Sequence, residues 1–100
     1  MSRVASIKPR GRKGARAAVA FEGDARPAIE LAVEVIADAR LRRGDELDDD
    51  AVARLLDADR RARCLEKAWA LVALRPRSRR ELVTALRQRK FPAADIEHAC

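Results

Sequence analysis

The sequence predicts a mainly α-helical protein, with a small N-terminal β-hairpin and αβ region followed by a long helix that opens a three-helix repeat. Three observations carry this. Aromatic residues are few (Phe21, Trp69 and Phe91), so the core is built from Ala, Leu, Val and Ile, and with abundant Arg and Glu that mixture favours helices. Period-two alternation is confined to the first third of the chain, whereas apolar residues three and four apart run through the second half without Gly or Pro until Pro76. At 100 residues the chain has room for one modest core.

From Arg3 to Glu22 the pattern suits two short strands. Ala17, Val19 and Phe21 fall on one face and Arg16, Ala18, Ala20 and Glu22 on the other, with Gly11 and Gly14 supplying the turn. A two-stranded hairpin is marginal alone, so it needs a packing partner. Ile29 to Leu41 is the candidate: Ile29, Leu31 and Val33 alternate, and Ile36, Ala39 and Leu41 then take helical spacing. The expected regions are 1–47, with hairpin and helix, and 48–100, with the long helix and an incomplete three-helix repeat.

Asp48 is the expected N-cap of the long helix, with Asp49 and Asp50 in a first turn where carboxylates meet the positive end of the helix dipole. The stripe Val52, Leu55, Leu56, Ala62, Leu65, Ala68, Trp69 and Val72 predicts its buried face, and Asp57, Asp59, Arg60, Arg61 and Glu66 read as a solvated face. Pro76 ends it. Ser78 followed three residues on by Glu81 forms a capping box for the next helix, whose apolar stripe is Leu82, Ala85 and Leu86. Pro92 suits the first turn of a third helix, and Ile96 begins its apolar face. The pattern stops at Cys100 after barely two turns, as expected for the opening part of a longer protein.

A net charge of +6 favours a polyanion or an acidic protein face as partner. The strongest candidate surface is the Arg-rich link and helix carrying Arg75, Arg77, Arg79, Arg80, Arg87, Arg89 and Lys90, offset locally only by Glu81. Arginine grips carboxylates and phosphates through paired hydrogen bonds. The plainer reading is a solvated helix. The hairpin turn offers a second cluster, Lys8, Arg10, Arg12 and Lys13, for phosphates.

Catalytic constellations are missing: there is no Gly-rich phosphate loop, GxSxG elbow or HExxH pair, and the carboxylates Asp45 and Asp48 to Asp50 cluster where a helix start needs them. No catalytic residue, cofactor or metal site is therefore expected. His98, Cys64 and Cys100 lack the CxxC spacing of a zinc site, and both cysteines read as reduced thiols. Without a long apolar run or a signal-peptide core, the expectation is a cytoplasmic protein away from membranes.

The stretch Leu71-Val72-Ala73-Leu74-Arg75-Pro76-Arg77-Ser78-Arg79-Arg80-Glu81-Leu82, continuing through Leu86 to Phe91 and Ile96, resembles the opening repeat of the RecX family. Ser6-Ile7-Lys8-Pro9-Arg10 and Leu41-Arg42-Arg43-Gly44-Asp45-Glu46-Leu47 are similar to that family's N-terminal region, so the resemblance covers nearly the whole chain. It implies a small β-containing region and tandem three-helix repeats that dock in the groove of the RecA filament on DNA, limiting ATP hydrolysis and strand exchange. The implied partner is the RecA filament, with phosphate contacts to single- or double-stranded DNA a further option, and a monomer is expected. Such repeats usually carry glycine just before the aromatic. Here Lys90 takes that place and would be strained by about 1 kcal/mol in the same turn. The alternatives are a helix-turn-helix DNA-binding module centred on the Ser78 helix, and an inactive fragment. The first is disfavoured because Gln88 is the main side chain suited to reading base edges.

Overall fold

The computed structural model describes residues 1–11, 14–23 and 26–100. Among these the elements run β1 (Ser2–Arg10), β2 (Arg16–Phe21), β3 (Ile29–Ala32), α1 (Val33–Ala39), β4 (Glu46–Leu47), α2 (Asp49–Leu74), α3 (Arg79–Gln88) and α4 (Ala93–Ala99). They form two compact units, Met1–Asp59 and Arg60–Cys100. No helix is long and apolar enough to cross a membrane among the described residues.

The first unit holds an antiparallel sheet of order β3-β2-β1-β4. The expected hairpin is present, with Lys8 opposite Ala18 and Arg10 opposite Arg16, and the register shifts between Val4 and Ser6. It is not left two-stranded. Ile29–Ala32 pairs with β2, and the short β4 pairs Leu47 with Ser2 and Glu46 with Arg3. The strand-to-helix change that periodicity left open falls between Ala32 and Val33. As predicted, Ala17, Val19 and Phe21 point inward, and Val4, Leu31, Val35, Leu41, Val52 and Leu55 complete this unit's buried apolar set. At the end of α1, Arg40 adopts φ 53°, and the N–H groups of Arg40 and Leu41 donate to the carbonyls of Ala37 and Ile36. This is the left-handed helix stop usually given to glycine.

Asp59 departs from the solvated face expected of the long helix. It is 3% exposed: one carboxylate oxygen accepts the Ala32 backbone N–H at 2.8 Å and the other the Arg16 guanidinium at 3.1 Å. Arg16 also reaches Glu30 at 2.6 Å, across the β2–β3 pair. The Asp59 hydrogen bond, with Glu30 adding to it, holds the Arg16 pKa above its already high range. A carboxylate is kept here because the last amide of β3 needs an acceptor away from water.

The second unit is built from the C-terminal half of α2 with α3 and α4. Cys64, Ala68 and Leu71 pack with Leu86 and Ile96, against which Leu82, Val83, Ala85, Phe91 and Ala99 are half-buried. This corrects the predicted stripe: Leu65, Trp69 and Val72 are exposed, Trp69 by 68%, as is Leu56 in the first unit. Each buried residue is one position before an exposed apolar one, a rotation of about 100° around the helix, so two adjacent apolar faces coexist and only one is covered. Asp95 is a second buried carboxylate, 3% exposed, accepting from Arg60 at 2.8 Å, with Arg61 at 3.9 Å. Burial raises the pKa of the Cys64 thiol.

Candidate partner-binding surface

α3 is set by its ends. The Ser78 hydroxyl accepts the Glu81 N–H at 3.1 Å, and the Glu81 carboxylate accepts the Ser78 N–H at 3.4 Å, so the predicted capping box forms. Arg75 donates to the other Glu81 oxygen at 3.2 Å. The Ser78 backbone bond first, and the Arg75 bond second, hold the Glu81 carboxyl below its usual range. Asp48 caps α2 in the same way, accepting the Ala51 N–H at 2.7 Å.

At the other end of α3 the Lys90 N–H donates to the Arg87 carbonyl at 2.9 Å and the Phe91 N–H to the Leu86 carbonyl at 3.4 Å. This is a Schellman stop, and it requires the left-handed conformation that Lys90 adopts at φ 65°. The turn anticipated for glycine therefore forms with lysine. It lays Phe91 back on the Leu86 cluster and brings α4 against α3. Pro92 stands one position earlier than expected, as the N-cap of α4, where its fixed φ of −62° fits and its missing N–H leaves no bond unmade.

These supports sort the predicted cations. Arg75 is engaged with Glu81, and Arg77 donates to the Leu71 carbonyl at 3.0 Å, tying the link to the end of α2. Arg89 donates to the Ala85 carbonyl at 3.3 Å. Arg79, Arg80, Arg87 and Lys90 are exposed, and their side chains form no ion pair among the described residues. On the first unit Lys8 and Arg10 are exposed near the hairpin turn, while Arg12 and Lys13 lie outside the described residues.

Arg79, Val83 and Arg87, spaced four apart, form one wall of an open groove of about 400 Å³; Phe91, Ala93, Ile96 and Glu97 form the rest. Charge counting along the sequence finds the arginines but misses the groove, whose apolar floor depends on the Lys90 turn. The i, i+4, i+8 spacing of Arg79, Val83 and Arg87 was the available signal. Among the described residues no group of three or more His, Cys, Asp or Glu side chains is placed to hold a metal ion.

A family model described as the first three-helix domain of RecX matches residues 64–100, the segment that contains this groove. No curated protein gives a significant match. Among solved structures, the crystal structure of regulatory protein RecX is similar with a TM-score of 0.83 and 23% identity, over 99% of this chain and 47% of that one. At that identity the likeness is one of fold, and the chain spans about half the length of the solved protein. The family match over residues 64–100 and the fold shared along nearly the whole chain identify it as RecX-like, with an N-terminal sheet region and a first three-helix domain.

Proposed function

We propose that this chain is a RecX-type regulator that docks on the RecA filament assembled on DNA and restrains its ATP hydrolysis and strand exchange. The carrying observation is the coincidence of the RecX first three-helix match with the basic, groove-bearing face of α3. The regulator acts by binding, as a cytoplasmic monomer without cofactor, and Arg79, Arg80, Arg87 and Lys90 supply the contacts. Arg75, Arg77 and Arg89 shape this face as well as charging it, since each is bonded to its own surroundings. Lys8, Arg10, Arg12 and Lys13 extend the positive charge to DNA phosphates. Co-sedimentation with RecA on single-stranded DNA, beside DNA alone and RecA alone, tests the proposal. Preference for the filament is expected, and preference among duplex sequences would favour a helix-turn-helix module instead.

A further inference from the structure

We infer that the α3–α4 groove binds an acidic protein segment, seating one apolar side chain on Val83, Phe91 and Ile96 between two carboxylates held by Arg79 and Arg87. This deepens the regulatory reading, on which it rests for the partner's identity, by naming the feature the partner must present. Arg79 and Arg87 are eight residues apart on one helix, which separates their backbone positions by about 12 Å along the axis. Neither guanidinium has an acidic partner among the described residues, and Val83 lies midway between them on the same wall. The opposite wall is apolar apart from Glu97.

That asymmetry selects the ligand. A nucleic-acid strand laid in the groove would bring phosphates past Glu97 and gain nothing from the aliphatic floor. A protein segment with carboxylates on its α3-facing edge and an apolar residue between them satisfies both arginines and covers Val83, Phe91 and Ile96. Two backbone forms meet the spacing: a helix reading Glu-x-x-x-Leu-x-x-x-Glu and an extended strand reading Glu-x-Leu-x-Glu, each placing its acidic positions about 12–13 Å apart. Paired charges at the rim and a small apolar anchor at the centre are the usual division of labour in such contacts.

The test is fluorescence anisotropy with the 100-residue chain and two labelled synthetic peptides, one of each form, at physiological salt. Binding of at least one peptide is expected, weakened about tenfold when its Glu residues become Gln, and weakened likewise when its Leu becomes Ser. The double variant Arg79→Glu/Arg87→Glu, with its helicity checked by circular dichroism, should lose the Glu peptide and gain a Lys-for-Glu version. No binding of either peptide up to on the order of 1 mM overturns the inference. So does indifference to the Glu and Leu replacements, or a single-stranded oligonucleotide that binds through Arg79 and Arg87 more tightly than the peptides. If the double variant still binds RecA filaments as wild type does, the groove assignment falls and the regulatory reading stands. If the peptides bind while the wild-type chain ignores filaments, the groove stands with a different acidic partner.

Discussion

Replacing Asp59 with alanine removes the buried acceptor that joins α2 to the end of β3. Two contacts are lost, the Ala32 N–H at 2.8 Å and the Arg16 guanidinium at 3.1 Å. Ala32 is 6% exposed, so its orphaned N–H costs about 1–3 kcal/mol. Arg16 retains Glu30 at 2.6 Å and is 29% exposed at its side chain, so its loss is smaller, about 1 kcal/mol or less. Asp59→Ala should therefore destabilise the protein by about 2–4 kcal/mol. Asp59→Asn keeps an oxygen for the Ala32 N–H but turns an amide donor toward Arg16, for a cost of about 1–2 kcal/mol. Urea denaturation gives the totals, and hydrogen exchange of the Ala32 amide shows where the loss arises. An Asp59→Ala variant within about 0.5 kcal/mol of wild type, with Ala32 still protected, would refute the reasoning.

Three further expectations follow from the two units. The Glu46 carboxyl is lowered by its hydrogen bond from Arg3, and Glu81 by Ser78 and Arg75, so both contribute stability that is complete above the ordinary glutamate range and lost as pH falls through the lower folded values. Acid unfolding of Glu46→Gln and Glu81→Gln variants should accordingly depend less on pH between that range and the depressed values; unchanged slopes would contradict it. At Lys90, with φ 65°, Lys90→Val should destabilise by about 1–2 kcal/mol, whereas relief of strain and added unfolded-state freedom leave Lys90→Gly within about 0.5 kcal/mol. Equal melting temperatures for the two variants would count against the turn. Thiol labelling of the native protein should modify exposed Cys100 at once and Cys64, buried and with a raised pKa, only on unfolding. Two equally fast thiols would mean that the α2–α3–α4 cluster is open.

What the sequence discloses depends on how far apart the interacting residues are. The inward face of β2 and the Ser78–Glu81 box are local patterns, set by the strand period and by a three-residue reach, and both stand as read. The Lys90 turn was legible because only a left-handed residue closes that helix stop. The covered face of α2 was not, because Cys64, Ala68 and Leu71 repeat at the same spacing as Leu65, Trp69 and Val72, and periodicity weights both alike. Asp59 was misread as a solvated charge because its partners stand 27 and 43 positions away in the chain. The binding surface was half legible: the arginines were visible as a cluster, but the engagement of Arg75 and Arg77 and the apolar groove floor arise only after the link and α4 fold back.

The most direct test of the central claim is the affinity of this chain for RecA filaments on single-stranded DNA relative to the same DNA without RecA, at physiological salt, with Arg79→Glu/Arg80→Glu alongside. A RecX-type regulator binds the filament at least about tenfold more tightly than DNA, and the variant loses that preference while keeping its fold. Equal affinity for filament and DNA, or a preference untouched by the two substitutions, would contradict the account.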